Sequence, residues 1–244
     1  MINKIQKTFS NIMHLIFPNH CIICGNLIQS VNMNYICIEC INKKLDYIHK
    51  DRYIRCIKCG KVLESEDSLC VCKNEELYFD ECRSMLYYSN HTTDLIHKMK
   101  FSHRYLICKD FAAMLSYYYK DYIKSYDAVS FVPLGKNRLL DRGYNQSELI
   151  AKTLSKILNI NLINDIIARK KETQALSMLK SKEERINMIK DAFTVSRIYN
   201  TENKINLLII DDVFTTGSTL NEISKEIKKL ECINKIGLLT VART

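Results

Sequence analysis

The most informative stretch of the sequence is Ile205-Asn-Leu-Leu-Ile-Ile-Asp-Asp-Val-Phe-Thr-Thr-Gly-Ser-Thr219. Its first six residues are almost all large and aliphatic, which is typical of a strand buried on both faces of a parallel sheet. The apolar residues that follow recur at spacings of three and four and predict a helix: Leu220, Ile223, Ile227 and Leu230. Because open α/β sheets bind ligands at the carboxyl ends of their strands, we expect a binding site at this strand-to-helix turn.

The turn itself has the composition of a phosphate-binding loop. Small hydroxyl residues surround Gly217, so several backbone N–H groups can face a ligand beside a helix N-terminus. Two adjacent aspartates come just before the loop and suit sugar hydroxyls or a ligand that carries Mg²⁺. The plainer alternative is a capped helix start with solvent-facing aspartates. The predicted binding residues are Asp211, Asp212, Thr215, Thr216, Gly217, Ser218 and Thr219.

The rest of the C-terminal part alternates between strand and helix patterns. The predicted strands cover 83–88, 128–133, 205–210 and 236–242. The predicted helices cover 91–101, 105–124 and a segment from about 146, for which Asn145 is a suitable N-cap. This alternation predicts an α/β fold with a mostly parallel sheet and flanking helices.

A second phosphate-binding element is predicted in the loop after the strand 128–133. It contains Lys136, Arg138 and Arg142, whose charges could neutralise a pyrophosphate, and arginine offers bidentate contacts to phosphate oxygens. Gly143 would let the backbone turn tightly. For each basic residue the alternative is an exposed surface charge.

Cysteine is unusually frequent, with 11 residues in the chain, and most of them form four close pairs near the N-terminus. The first two pairs have the spacing Cys-x-x-Cys-x12-Cys-x-x-Cys, which is typical of zinc, a metal that takes four ligands in a tetrahedron. The second group ends in the tighter pair Cys-x-Cys. One zinc ion with a degenerate second group is the alternative to two. The predicted ligands are Cys21, Cys24, Cys37, Cys40, Cys56, Cys59, Cys70 and Cys72.

Zinc ribbons either bind nucleic acid or hold a small fold together. Residues 1–80 contain ten Lys/Arg and nine Asp/Glu, so zinc-bound thiolates would make this part negative. The charge therefore favours a structural or interaction role over the reading of a DNA sequence. Cys82, Cys108 and Cys232 are isolated and are predicted to be core residues.

The excess of positive charge lies in the C-terminal part. Of a formal net charge of +9, residues 81–244 contribute +8, from 26 Lys/Arg and 18 Asp/Glu. This suits a phosphate-rich ligand or a nucleic-acid strand, although a merely basic surface is the alternative. No segment is apolar enough to predict a membrane span, and no secretory signal is expected. Many cysteines without such a signal predict a cytoplasmic, metal-binding protein.

Three parts of the chain are predicted from these patterns. Residues 1–18 form an amphipathic helix that packs on the protein, with membrane-surface binding as a minor alternative. Residues 19–82 form a double zinc-ribbon module, and residues 83–244 form the α/β domain.

The segment Leu208–Thr219 resembles the ligand-binding signature of type I phosphoribosyltransferases. Members of that family bind phosphoribosyl pyrophosphate (PRPP) together with Mg²⁺ on a mostly parallel sheet. The resemblance implies that Asp211 and Asp212 contact the ribose hydroxyls. It also implies that residues 215–219 hold the 5′-phosphate.

Further segments resemble the ComF family over residues 20–243. They are the N-terminal cysteine pairs, Leu95–Phe101, Val132–Leu149 with its Arg-Gly-Tyr-Asn-Gln block, and Arg169–Phe193. The resemblance implies a role in natural competence, the uptake of transforming single-stranded DNA, with that DNA and the uptake machinery as partners. It also implies that three polar residues face the PRPP cleft: Gln174, Arg185 and Asn187.

Three functions are consistent with this sequence. They are a PRPP-binding competence factor, an active phosphoribosyltransferase with an unidentified acceptor, and a zinc-ribbon nucleic-acid adaptor with a vestigial PRPP site. The intact acidic pair and loop argue against the third. No general acid or base can be named, but such chemistry can rest on positioning and charge stabilisation. A hood over an acceptor would come from the N-terminal half, and the zinc module is the candidate.

Overall fold

A computed structural model describes residues 19–30, 33–48, 54–65, 68–170, 187–195 and 203–244. The helix predicted over 1–18 lies outside the described residues, as do Gln174 and Arg185.

The zinc-ribbon part contains short elements, and the α/β part contains the longer ones. The helices are α1 (Ile38–Lys44), α2 (Asn90–Phe101), α3 (Leu106–Tyr118), α4 (Lys120–Lys124), α5 (Lys136–Arg142), α6 (Gln146–Leu158) and α7 (Ser218–Ile227). The strands are β1 (Ile54–Arg55), β2 (Val62–Leu63), β3 (Glu81–Tyr87), β4 (Ala128–Phe131), β5 (Asn161–Leu162), β6 (Ile167–Arg169), β7 (Phe193–Val195), β8 (Ile205–Phe214) and β9 (Ile233–Arg243). Across the described ranges, no helix combines the length and the apolar character that crossing a membrane requires.

The main sheet has five strands in the order β3-β9-β8-β4-β5, and every neighbouring pair is parallel. The centre of β8 is fully buried, as expected for a strand with helices on both faces. The fold class predicted from the alternating pattern is therefore confirmed: a parallel α/β sheet with flanking helices. Asn145 caps α6 as predicted, because its side chain accepts hydrogen bonds from Ser147 N and Glu148 N.

Several strand bounds shift by one to three residues from the sequence prediction, and two elements differ by more. Strand β8 does not end at residue 210 but continues to Phe214, because Asp211 and Val213 still pair with Thr240 and Ala242 of β9. The aliphatic run ends at Ile210, so composition alone placed the end too early. The single helix predicted over 105–124 is broken at Tyr119, and α3 and α4 lie on either side of the break. Apolar periodicity continues across this break because both helices bury residues against the same core.

The predicted loop that carries Lys136, Arg138 and Arg142 is a helix, α5, which ends at Gly143 in the left-handed conformation with φ 76°. None of its residues is buried, so it has no apolar stripe by which sequence periodicity could reveal it. The glycine makes the sharp exit of the chain from α5 possible.

Helices cover both faces of the sheet and form two cores. One face packs against α3, α6 and the segment that carries Cys21, Cys24, Cys37 and Cys40, called here the first ribbon. The other packs against α7 and the antiparallel strand pair β6–β7. The isolated cysteines Cys82, Cys108 and Cys232 are all buried, as predicted.

The first ribbon docks on α3 through one buried carboxylate. Asp110 accepts hydrogen bonds from the Asn34 backbone N–H (2.8 Å) and side-chain amide (2.7 Å), and from the N–H groups of Tyr35 (2.7 Å) and Ile36 (3.1 Å). Burial raises the pKa of Asp110, and these four donors oppose that rise. The carboxylate thereby satisfies backbone groups that the ribbon turn would otherwise leave buried and unpaired.

Candidate functional site

Eight cysteine side chains meet in two groups of four. Within Cys21, Cys24, Cys37 and Cys40 all sulfur atoms lie within 4.8 Å of one another, and the same holds for Cys56, Cys59, Cys70 and Cys72. A tetrahedral zinc site with Zn–S bonds of about 2.3 Å separates its sulfur atoms by about 3.8 Å. The shortest separations approach that value: 3.7 Å for Cys24–Cys37, 3.5 Å for Cys56–Cys72 and 3.4 Å for Cys59–Cys70. Disulfides, at about 2.05 Å, are excluded.

Backbone N–H groups donate to two sulfur atoms of the first cysteine group, while burial raises the pKa of Cys37 and Cys40. Cys37 N–H donates to the sulfur of Cys21, and Cys40 N–H donates to the sulfur of Cys37, both at 3.4 Å. Burial opposes ionisation of Cys21, but backbone N–H donors outweigh it and lower the pKa of this thiol to about 7. Gly25 and Gly60 directly follow their cysteine pairs with φ of 76° and 73°, a left-handed conformation that closes each turn. The cysteine groups thus fit zinc, which cysteine binds in its thiolate form.

The acidic pair lies at the carboxyl end of β8 and has defined partners. Lys100 Nζ of α2 lies 2.7 Å from Asp212 Oδ2, and Ser147 Oγ of α6 donates to Asp211 Oδ1 at 2.8 Å. Burial and the neighbouring charge of Asp212 raise the pKa of Asp211 to about 7. The two side chains place several carboxyl oxygens close together, and such a set of oxygens suits a metal-bearing or hydroxyl-bearing ligand.

The loop 215–219 opens α7 as the sequence predicted. Thr216 and Ser218 hydroxyls lie 2.8 Å apart, and Gly217 has φ 74°. The ring of Phe214 lies directly under this glycine, since a Cβ there would be 2.5 Å from the ring. A side chain at position 217 would therefore clash with the ring. At the helix start the Ser218 N–H donates to Thr216 Oγ1 at 3.5 Å.

Helix α5 brings two arginines toward the acidic pair. Arg142 donates to Gln146 Oε1 at 3.1 Å, and its guanidinium lies 5.1 Å from the ring centre of Phe101. Burial lowers the pKa of Arg142, and the nearby charge of Asp212 opposes that effect. Arg138 Nε and Nη2 and Gln146 Nε2 are buried and have no hydrogen-bond partner within the described part of the chain. Lys136 is exposed on the same helix.

Sequence patterns missed two contributors to this site, Lys100 and Gln146. Lys100 lies in a helix whose inward face is apolar, so only the tertiary contact with Asp212 reveals it. The sequence singles out Gln146 only as the last residue of the Arg-Gly-Tyr-Asn-Gln block. The structure adds that its side-chain Nε2 is buried and has no hydrogen-bond partner among the described residues. Of the predicted cleft residues only Asn187 is described, and it is exposed, so the cleft role of these three residues stays a prediction.

Comparisons with known proteins match both the cysteine groups and most of the chain. The sequence pattern of the double zinc ribbon domain matches residues 12–77, which contain both cysteine groups. Competence protein F of Haemophilus influenzae is 33% identical over 221 residues, covering 88% of this chain and 93% of that protein. The chain belongs to the competence protein F (ComF) family.

Two further relatives extend the ComF comparison. Competence protein ComFC of Streptococcus pneumoniae is 26% identical, and the alignment covers 84% of this chain and 91% of that protein. DNA utilization protein YhgH of Escherichia coli K12 is 30% identical, and the alignment covers 57% of this chain and 61% of that protein. Among solved structures, the purine phosphoribosyltransferase of Pyrococcus horikoshii is 21% identical with a TM-score of 0.35, covering 56% of this chain and 83% of that one.

Proposed function

We propose that this ComF protein binds PRPP with Mg²⁺ at the end of β8 and uses this site in the handling of transforming DNA. The observation that supports it most directly is the set of unpartnered donors on Arg138 and Gln146. A buried donor without a partner costs about 1–3 kcal/mol, more when it is charged. Arg142 interacts with Arg138, Gln146 and Asp212, so these donors lie near the acidic pair. They are best explained by an anionic ligand that accepts from them.

The ligand would lie across the carboxyl edge of the sheet. Residues 215–219 would hold the 5′-phosphate at the start of α7, and Asp211 and Asp212 would bind the ribose hydroxyls. Arg138 and Arg142 would neutralise the pyrophosphate. Mg²⁺ bound to that pyrophosphate would supply the positive charge that Lys100 now gives to Asp212. We propose binding alone here, since no residue in this arrangement is assigned to acid–base chemistry.

The relatives named for competence and DNA utilization support the wider role. We propose that the partners are the DNA-uptake machinery and its single-stranded product, and that the protein works in the cytoplasm. Reduced thiols persist there, as two zinc ions on eight cysteines require.

PRPP binding can be tested on the zinc-loaded protein by calorimetry and thermal unfolding. With Mg²⁺ present, PRPP at 100 times its Kd should stabilise the fold by about 2.7 kcal/mol. Ribose 5-phosphate should bind more weakly, because it lacks the pyrophosphate that Arg138 and Arg142 would contact. No heat and no shift at millimolar PRPP would contradict the proposal.

Substitution of Arg138 by methionine should weaken PRPP binding by about 10–100-fold, because charge-assisted hydrogen bonds contribute about 1.5–3 kcal/mol. Methionine keeps the aliphatic part of the side chain and removes the guanidinium. Calorimetry measures the change, with Lys152→Met as the control because Lys152 is exposed on α6 and pairs with Glu148. Equal PRPP affinity in Arg138→Met and the control would remove Arg138 from the site.

A second function, binding of single-stranded DNA, is favoured by the surface at 97–105. Phe101 is 67% exposed and Tyr105 is 49% exposed, and Lys98, His103 and Arg104 lie in the same segment. Exposed rings beside positive charges are the usual platform for unpaired bases, which stack on the rings while phosphates meet the charges. Arg142 stacks on Phe101, so this surface adjoins the PRPP site.

DNA binding at this surface should depend on salt in a predictable way. Replacing Lys98 and Arg104 by glutamine should reduce the slope of log affinity against log salt by about 1.4, at roughly 0.7 per phosphate contact. Fluorescence anisotropy of labelled oligo-dT at several salt concentrations measures the slope. The control is Lys120→Gln plus Lys124→Gln on α4, which leads into the amino end of β4, whereas the proposed site lies at the carboxyl ends of the strands. An unchanged slope would exclude this surface.

A further inference from the structure

The segment that carries Cys56, Cys59, Cys70 and Cys72, called here the second ribbon, is attached to the main sheet at its Cys56–Gly60 turn. Arg243 Nη1, at the end of β9, donates to the carbonyl oxygen of Cys59 at 2.9 Å. Gly60 packs so closely on the neighbouring strand that a Cβ there would lie 2.7 Å from Cys82 O and 3.3 Å from Arg243 Nη1. The turn that supplies two predicted zinc ligands, Cys56 and Cys59, therefore rests directly on Arg243.

Arg243 is also attached to the strand that carries the acidic pair. Its guanidinium lies 5.3 Å from the ring centre of Phe214, and the next residue, Thr244, donates its N–H to Phe214 O at 3.1 Å. Phe79 holds the same ring from another side, in an edge-to-face contact at 6.5 Å. The position of the Phe214 ring is thus set jointly by the sheet and by Arg243.

The Phe214 ring in turn fixes where the backbone of the loop 215–219 can lie. Gly217 lies against it with no room for even a methyl group. A close-packed contact of this kind transmits small displacements, because neither side has free volume to absorb them. Three consecutive contacts therefore connect the Cys56–Gly60 turn with the loop 215–219.

We propose that Arg243 is a positioning residue that couples metal occupancy of the second cysteine group to the affinity of the loop 215–219 for PRPP. The coupling rests on the proposed PRPP site. Zinc fixes the Cys56–Gly60 turn and with it the carbonyl oxygen that accepts from Arg243. Arg243 is a buried residue, 7% exposed, so once the turn opens its guanidinium must move to find another acceptor. That movement releases Phe214 and the loop. The first cysteine group has a different attachment, through Asp110.

Thermodynamic reciprocity gives a test that needs no variant. If zinc in the second group strengthens PRPP binding, PRPP must raise the zinc affinity of that group by the same factor. We expect a factor of about ten, within the usual range of such couplings. The zinc affinity is measured by competition with a chromophoric chelator at fixed Mg²⁺, with and without PRPP, after correction for zinc bound by PRPP itself. A protein carrying Cys21→Ser and Cys24→Ser identifies which zinc ion responds.

Variants then locate the coupling at Arg243. Arg243→Met should lose about tenfold in PRPP affinity and all of the reciprocal effect on zinc, while Arg243→Lys should keep part of both. Arg83→Met is the matched control, because Arg83 also stacks on a ring, that of Tyr122, and forms its ion pair with Glu81 of its own strand. If Arg243→Met fails to fold, the zinc affinity of the wild-type protein with and without PRPP, and the PRPP affinity of Arg243→Lys, still test the coupling.

The possible outcomes separate the coupling from the site on which it rests. Wild-type protein that binds PRPP but shows the same zinc affinity with and without it would overturn the coupling and leave the PRPP site standing. Unchanged PRPP affinity in Arg243→Met would do the same. Wild-type, zinc-loaded protein that fails to bind PRPP would overturn both.

Discussion

Replacement of both Asp211 and Asp212 by asparagine is expected to weaken PRPP binding by at least 100-fold while the protein stays folded. Each carboxylate is proposed to accept charge-assisted hydrogen bonds from the ribose, and each such bond contributes about 1.5–3 kcal/mol. Loss of two gives about 3–6 kcal/mol, or roughly 10²–10⁴ in affinity. Calorimetry with Mg²⁺ and PRPP measures the change. The control is Asp94→Asn plus Asp121→Asn, which removes the same charge from two exposed positions.

The same double substitution should alter how stability depends on pH. The folded protein holds a proton on Asp211 up to a pKa of about 7, well above the ordinary value of 3.8. The folded state therefore binds more protons than the unfolded state between about pH 4 and pH 7, and this aspartate lowers the free energy of unfolding as the pH rises through that window. The asparagine variant should lack this component in urea unfolding at pH 5 and pH 7.5. A variant that unfolds at neutral pH would show instead that the pair is needed for the fold.

Disruption of the first cysteine group should have the largest structural effect of the substitutions described here. In the variant Cys37→Ser plus Cys40→Ser we expect about one zinc ion per chain instead of two, and loss of order in the ribbon around α1. Binding of zinc to such sites supplies about 10–16 kcal/mol of apparent free energy, which is folding free energy for a small ribbon. Ile36 and Ile41, buried beside these cysteines, should lose protection against hydrogen exchange.

Elemental analysis and hydrogen-exchange mass spectrometry together measure this outcome. Cys232→Ser is the matched control, because Cys232 is a buried cysteine of the α7 face that belongs to neither group. It should retain both zinc ions. Two zinc ions in Cys37→Ser plus Cys40→Ser, or fewer than one in the unmodified protein, would refute the assignment of these cysteines as ligands.

Features that depend on neighbouring residues could be predicted from the sequence. The cysteine spacing predicts both four-sulfur groups, and the stretch from Ile205 predicts a buried strand followed by a glycine turn and a helix. These patterns are local, so the backbone itself brings their members together. The exposed helix α5 was missed for the opposite reason, because nothing in its surroundings imposes an apolar stripe on it.

The residues that connect parts of the fold could not be predicted in the same way. Lys100 reaches Asp212 from 112 residues away in sequence, and Asp110 reaches Asn34 across 76 residues. An isolated charged residue looks the same in sequence whether it is exposed or holds two segments together. Only tertiary contacts distinguish these cases, and the same holds for Arg243, whose acceptor lies in the second ribbon.

The two ribbon attachments also set an order of events during protein synthesis. The first ribbon waits for Asp110, which is made 76 residues after Asn34, or roughly 4–15 s later at about 5–20 residues per second. The second waits for Arg243, 184 residues after Cys59, or roughly 10–40 s later at the same rate. Both cysteine groups therefore leave the ribosome well before their docking partners exist. Metal loading can therefore precede docking. Under the coupling proposed for Arg243, the loop 215–219 would reach its final position only after the second ribbon has docked.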